Sequence, residues 1–352
     1  MVKLVVKVVL FIALLWGVNH AASYFVPYFW GNDGWAAKYK YFQKNADQYN
    51  VLFFGSSQTY RQIDPSVFDN QLERLGVKSY NFGYEATATP EVNYLYENLL
   101  DDKSVNLSKV NVVFMDLQPV RFLRSRNASS MRGRYHMSPA NYAKALNLVI
   151  NSHSSYSNRY NSILNYTRAF FDNQFNVRSF KDMTKFRQRY GQARKGFMKP
   201  LGENDNGFLP LNKDPQAKKR RNEFLNCEKW YIPYSEEMAI YSQDCGLIKG
   251  APFDRELFFE CRRLINLSKR KGIHLVFLIP PRSPYLNTTK VAEKLGEEHF
   301  ISLVDPRKYP KFYKMNHCFD RGHLNQRGAR AYTIALAKEA RDVVIAANAS
   351  RD

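Results

Sequence analysis

Three short apolar runs constrain this chain more than any other feature: "VLFF" at Val51–Phe54, "VNVVFMDL" at Val110–Leu117 and "IHLVFLIPP" at Ile273–Pro281. Each is rich in strand-forming residues, is short for a helix, and ends at or just before glycine or proline. A strand that is apolar along its whole length has both faces covered. Helical patterns lie between the runs. Asp64-Pro65 opens one that continues through Phe68, Leu72 and Leu75 and stops at Gly76, and another follows over Pro90–Leu100. From Phe253, "FDRELFFECRRLINLSKRKG" reads as an amphipathic helix ended by Gly272, and "NQRGARAYTIALAKEARDVVIAA" as a last helix that Asn325 caps. With weaker strands at "VKSYNFG" and "HFISLVD", the order is β-α-β-α-β, insertion, α-β-α-β-α. Such alternation predicts an α/β domain over 51–119 and 253–347, its parallel sheet covered on both faces.

Between 120 and 252 the alternation breaks into a basic, aromatic-rich insertion, expected to be mainly helical or irregular. It holds "RFLRSR", "RGRYH", "KFRQRYGQARK" and "KKRR", and Ser138 is placed to cap "PANYAKALNLVI". Residues 31–50 read as a stalk or a first helix.

The formal net charge is +20 over 352 residues, which favours an anionic partner: nucleic acid, an acidic polymer or an anionic membrane face. The N-terminus narrows the choice. Lys3 and Lys7 precede Val8–Trp30, which holds no Lys, Arg, Asp or Glu and as a helix spans about 34 Å, enough to cross a bilayer. Lysines ahead of such a span predict a cytoplasmic N-terminus and a body outside the cytoplasm, periplasmic or on the cell surface. Tyr24, Tyr28 and Trp30 suit the far interface. Cleavage as a signal peptide near Ala21 and Ala22, and a buried core helix, are the rival readings. An exported body turns the charge away from nucleic acid and towards an anionic or neutral envelope glycan. No spacing for a metal site or a cofactor is found among these residues, so none is expected. In an oxidising compartment Cys227 and Cys245 are spaced to pair; the alternative is that they, Cys261 and Cys318 are ordinary buried thiols.

The chemistry is carried by two separated stretches. Gly55-Ser56-Ser57 directly follows the first strand, and open parallel sheets bind ligands beyond the carboxyl ends of their strands. A serine in such a strand-turn-helix elbow has a nucleophile's position but needs a base. His20 lies in the apolar N-terminus, His136 and His153 in the insertion, His274 and His299 on or beside strands. His317 and His323 remain, in "NHCFDRGHLNQRGARAY". Asp320 stands three residues before His323, near enough to orient its ring and stabilise the imidazolium; His317 lacks an acid at that spacing. This segment lies between the last strand and the last helix, hence on the same sheet edge as the serines.

Together these stretches resemble the SGNH (GDSL-type) hydrolase superfamily, over roughly Val51–Pro119 and Phe253–Ala347. "FFGSSQT" looks like its first block, with Ser57 in the nucleophile's place, and "DRGHLNQRGARAY" like its last, with Asp320 and His323 as acid and base. The resemblance implies a three-layer α/β/α fold with a flavodoxin-like parallel sheet. It also implies an oxyanion hole from the Ser57 amide, an amide in "YNFGYEATAT" at Ala86 or the nearby Gly83, and a side chain in "FMDLQP". In that last block Gln118, with Asp116 beside it, stands where the family has asparagine. The N-terminal span, "GSSQTYRQIDPSVFD" and the insertion look most like membrane-tethered relatives such as the alginate O-acetylation and teichoic-acid D-alanylation proteins. In those, a serine takes an acyl group from a multi-span membrane-bound O-acyltransferase and passes it to a polymer. The expected function is such transfer; an esterase or deacetylase with the same triad, and a non-catalytic tethered polymer-binding protein, are the alternatives. Arg132, Arg134 and Tyr135, with Arg121, Arg124, Arg126 and "KKRR" at 218–221, are expected to line the acceptor side of the cleft.

Overall fold

The computed structural model describes residues 2–25, 29, 31–175, 200–226, 253–281 and 286–349. In chain order its principal elements are α1 (Val2–Ser23), α2 (Asp33–Asn45), β1 (Val51–Phe54), α3 (Ser57–Gln62), α4 (Pro65–Gln71), β2 (Ser79–Asn81), α5 (Glu91–Asp101) and β3 (Val112–Asp116). There follow α6 (Ser125–Ala128), α7 (Met131–Tyr135), α8 (Pro139–Ile150), α9 (Tyr156–Phe175), α10 (Lys218–Leu225), α11 (Arg255–Lys269), β4 (His274–Ile279), α12 (Leu286–Leu295), β5 (Phe300–Ser302) and α13 (Gln326–Ala349). Among the described residues these form two compact units: 2–36 with 121–175, and 37–120 with 200–349.

The second unit is the α/β domain. Its five strands are all parallel, in the order β2-β1-β3-β4-β5. The register pairs Phe53 with Asn81 on one side and Phe114 on the other, so the apolar runs lie side by side. Alternate residues face opposite layers, as strand geometry requires. Val51, Phe53, Val112, Phe114, Val276 and Leu278 join Phe68 of α4 and Tyr332, Leu336 and Val344 of α13 in one buried cluster. On the other face Phe54 meets Tyr96 of α5, whose hydroxyl lies 2.7 Å from Ser268 Oγ on α11. Phe53 is wedged between Phe68 and Phe114 at centroid distances of 5.0 and 5.5 Å and is fully buried. Phe53→Ala is therefore expected to lower the unfolding free energy by about 3–5 kcal/mol, read as a fall in the urea midpoint at unchanged slope.

The predicted caps are present. Asp64 Oδ1 accepts from Ser66 N at the start of α4, Ser138 Oγ from Asn141 N at α8, and Asn325 Oδ1 from Gly328 N at α13. Three expectations change. Of the two readings of residues 31–50 the first helix holds and the free stalk does not: α2 buries Trp35, Tyr39 and Phe42, and Phe42 packs on Tyr80 and Phe82. The insertion over 120–252 does not stay together. Residues 121–175 fall in the first unit, whereas 200–226 belong to the α/β unit and cover the outer edge of β2, where Asn81 N donates to Asn206 O at 2.9 Å. Such cover removes an exposed sheet edge. The N-terminal helix begins before the lysines and ends at Ser23. Val2–Ala22 is long and apolar enough to cross a membrane, and Lys3 and Lys7 lie within its first turns. Cys261 and Cys318 are buried, and the Cys318 thiol donates to Lys314 O at 3.2 Å. The proposed Cys227–Cys245 pair, "KFRQRYGQARK", Tyr28 and Trp30 lie outside the described residues.

Candidate active site

In the order β2-β1-β3-β4-β5 the chain leaves β1 towards one side and β3 towards the other, which opens a crevice beyond their carboxyl ends. Gly55, Ser56 and Ser57 follow β1 there, and Asp116 ends β3. Gly55 lets the two meet: a Cβ on it would fall 2.5 Å from Asp116 Cγ and inside contact of the Thr59 side chain.

The two serines have different surroundings. Ser56 is buried. Its Oγ donates to Asp116 Oδ2 at 3.0 Å, accepts from Gln118 Nε2 at 2.6 Å and from Gln58 N at 3.1 Å, and its amide donates to Asp116 Oδ2 at 3.0 Å. The hydroxyl is thereby saturated, capping α3 and tying β1 to β3. Burial pushes the Asp116 carboxyl up, against hydrogen bonds from Thr59 and Ser56. Ser57 is the first residue of α3 and half-buried. Its Oγ lies 2.8 Å from His323 Nε2.

Behind His323, Nδ1 lies 2.9 Å from Asp320 Oδ1. That carboxylate oxygen also accepts from Gly322 N at 2.8 Å. Burial works against the charged carboxyl, yet the hydrogen bond and charge of His323, the charge of Arg220 and the Gly322 amide hold Asp320 below the usual carboxylate range. The loop carrying the pair is folded on itself. Phe319 N donates to His323 O at 2.8 Å, Cys318 and Leu324 form an antiparallel bridge, and Asn325 Nδ2 donates to Asn316 O and Cys318 O. Gln58 Nε2 donates to Gly322 O at 3.1 Å, which links the loop to the serine's own helix. His317 Nδ1 faces Asn316 Oδ1 at 2.7 Å.

Of the oxyanion donors expected from sequence, two are engaged elsewhere. Gln118 directs its amide at Ser56 and Asp116, and Gly83 N donates to Asn81 Oδ1 at 2.8 Å. Gly83 is glycine for another reason: a Cβ there would sit 2.4 Å from Tyr60 N on α3. Among the described residues the Ser57 and Ala86 amides make no backbone hydrogen bond to a turn or loop carbonyl. Ala86 is exposed and left-handed, with φ 55°. It sits in a turn pinned beside the serines, since Tyr84 N and Thr87 Oγ1 both donate to Gly55 O, at 3.0 and 2.8 Å.

The supporting cations escaped the sequence reading. Arg220 Nε of α10 lies 2.8 Å from Asp320 Oδ2, and Arg221 Nη1 donates to Cys318 O and Phe319 O at 2.7 and 3.0 Å. The "KKRR" run, expected to face an acceptor, thus commits two arginines to the acid–base loop. Arg61 is fully buried, pairs with Glu85 and, at 2.8 Å, with Asp214, and donates to Leu209 O. Lys38, also fully buried, donates to the carbonyls of Asn81, Gly83 and Gly207 at 2.6–2.9 Å, and burial holds its ammonium well below the usual lysine range. Together they clamp the Ala86 turn and the 200–214 segment around α3. A further correction concerns Arg134 and Tyr135. Both are buried on α7 in the first unit, where Arg134 Nε donates to Ser130 O, so they are not presented to an acceptor; Arg132 is partly buried on the same helix.

Arg220 is half exposed, so solvent screens its charge. Arg220→Ala is expected to lower kcat for an activated ester by about tenfold, about 1.4 kcal/mol, with KM unchanged, because it loosens Asp320 without touching the ester. Steady-state kinetics on the purified variant checks this. Comparison with protein-family models and with curated proteins finds no match to this chain.

Proposed function

We propose that the chain is a serine acyl-transfer enzyme of the SGNH type, held at a membrane by α1 with its body outside the cytoplasm, that esterifies hydroxyls of a cell-envelope polysaccharide. The observation that carries this reading is the relay from Ser57 Oγ through His323 to Asp320, at 2.8 and 2.9 Å. The strand order supports it, since 2-1-3-4-5 is also the flavodoxin-like order expected of that superfamily.

In this reading His323 Nε2 takes the Ser57 proton as Oγ adds to the acyl carbonyl, and Asp320 stabilises the imidazolium. The tetrahedral oxyanion is met by the Ser57 and Ala86 amides. His323 then returns the proton to the leaving group, and an acyl-serine remains. A sugar hydroxyl, deprotonated by the same imidazole, attacks that ester and restores Ser57. By the family resemblance, the donor is a multi-span membrane-bound O-acyltransferase. The net charge of +20 favours an anionic acceptor over a neutral one.

The test uses the full chain in detergent with p-nitrophenyl acetate, with and without envelope glycans, and follows free acetate and acetylated glycan by mass spectrometry. Transfer predicts that glycan diverts acetyl from water. Free acetate alone, at every glycan concentration, makes the protein an esterase. Glycan binding without release of p-nitrophenol makes it a binding protein.

A further inference from the structure

The first unit carries an apolar surface that acyl transfer does not use. On α9, Tyr156, Tyr160, Leu164 and Phe171 are 79%, 55%, 48% and 52% exposed. At helical spacing they fall within an arc of about 80° on one face of the helix, with the partly buried Thr167 between Leu164 and Phe171. The opposite side is the packed one: Ser162, Tyr166 and Ala169 are buried and Asn165 Nδ2 donates to Leu123 O at 2.9 Å, while on the flank Phe170 stacks on Tyr142 of α8 at 4.4 Å. An exposed apolar surface of this kind marks a binding face.

What covers it is indicated by the other end of the helix. Trp16 Nε1 of α1 donates to Gln174 Oε1 at 3.2 Å, and Asn19 Nδ2 donates to Asn173 O at 3.1 Å and to Gln174 O. These contacts fall where α1 turns from apolar to polar. Val2–Leu15 precedes them, about 21 Å of helix whose charged residues, Lys3 and Lys7, lie in its first turns; then come Trp16, Asn19 and His20, with Trp16 stacked on His20 and His20 edge-on to Tyr24. Tryptophan and tyrosine beside the first polar residues of a span mark the headgroup level. The C-terminal end of α9 is therefore fastened to α1 at that level.

We infer that α9 lies in the surface of the bilayer that α1 spans, with the Tyr156–Tyr160–Leu164–Phe171 ridge at the boundary between headgroups and acyl chains. The inference rests on α1 being a membrane span and is independent of the acyl chemistry. The residue types fit that boundary. Leucine and phenylalanine supply buried area, while the tyrosines bury their rings and keep their hydroxyls in the headgroup layer. Arg168, exposed beside the ridge, is placed to meet lipid phosphate, and Asp172 is the one acid on α9. Where a lone helix leaves its domain free to swing, this second contact fixes the first unit against the membrane.

The test places photoreactive benzoylphenylalanine in the full chain at Leu164, Phe171, Asn161 or Leu10. Each protein is reconstituted in phosphatidylethanolamine–phosphatidylglycerol vesicles, illuminated, and read by intact mass. Asn161 is exposed on α9 but off the ridge, and Leu10 reports α1 itself. Phospholipid adducts are expected at Leu164, Phe171 and Leu10 and not at Asn161. Adducts at Leu10 alone overturn the inference for α9 while leaving the span intact. Absence of adducts at Leu10 removes the span, and the inference with it. Cross-links from Leu164 or Phe171 to a second copy of the chain, or to a membrane protein when native membranes replace the vesicles, make the ridge a protein interface instead. All these proteins are expected to retain ester turnover, so the outcome is separate from that of the acyl-transfer reading.

Discussion

Ser57→Ala is expected to abolish the release of p-nitrophenol from an activated ester, a loss of at least about 10⁴-fold, and to leave the unfolding midpoint where it is. The side chain at 57 is half-buried and is hydrogen-bonded to the half-buried His323, so its removal strands no fully buried partner. The neighbouring serine behaves in the opposite way. Ser56→Ala removes a hydroxyl that joins Asp116, Gln118 and the first turn of α3. It is expected to lower stability by about 1–3 kcal/mol through unpaired buried groups and the lost cap, while surviving folded protein retains its nucleophile. Stopped-flow p-nitrophenol release and urea unfolding on both variants separate the two roles. Turnover by Ser57→Ala within tenfold of the native rate places the nucleophile elsewhere.

His323→Ala and Asp320→Asn are expected to be the next most severe changes. An asparagine at 320 presents a neutral amide to Nδ1 and leaves the imidazole in the wrong tautomer; in the serine-protease triad the equivalent change costs about 10⁴ in rate. The relay acts as a unit, so Ser57→Ala combined with His323→Ala is expected to be no slower than Ser57→Ala alone. Asp116 is the other carboxylate near the serines, but its Oδ2 is held by the Ser56 amide and hydroxyl, so it is not placed to replace Asp320. Single-turnover rates of the three single variants and the double variant check this. Near-native turnover by Asp320→Asn would show that His323 is oriented by something else.

The central strands were legible because burial on both faces keeps them apolar except at their ends, where Asp116 closes β3 and His274 opens β4: β1, β3 and β4 sit inside "VLFF", "VNVVFMDL" and "IHLVFLIPP". Asp320 and His323 were legible because their contact is local, three residues apart on one loop. The rest depends on contacts distant in sequence. In α2 the aromatics are interspersed with lysines, and the partners of Phe42, namely Tyr80 and Phe82, come from β2 and the residue that follows it. Arg220 reaches Asp320 because α10 packs beside a loop about one hundred residues further on, and nothing in "KKRR" distinguishes a structural arginine from a solvent-facing one. Gln118 and Gly83 had suitable chemistry for oxyanion donors; Ser56 and Asn81, nearer to them in the fold, take their hydrogens first. Lys38 has no sequence signal: a fully buried lysine is tolerated here because three carbonyls converge on it from β2, the Gly83 turn and the 200–208 segment.

The most direct test of the serine relay is to identify the residue that carries the acyl group. The full chain is mixed with p-nitrophenyl acetate, quenched in acid within the first turnover, digested, and sequenced by tandem mass spectrometry. A single acetyl on Ser57, lost on longer incubation and absent from Ser57→Ala, is the predicted result. Acetylation of Ser56, or of scattered lysines with no adduct on Ser57, would contradict the account.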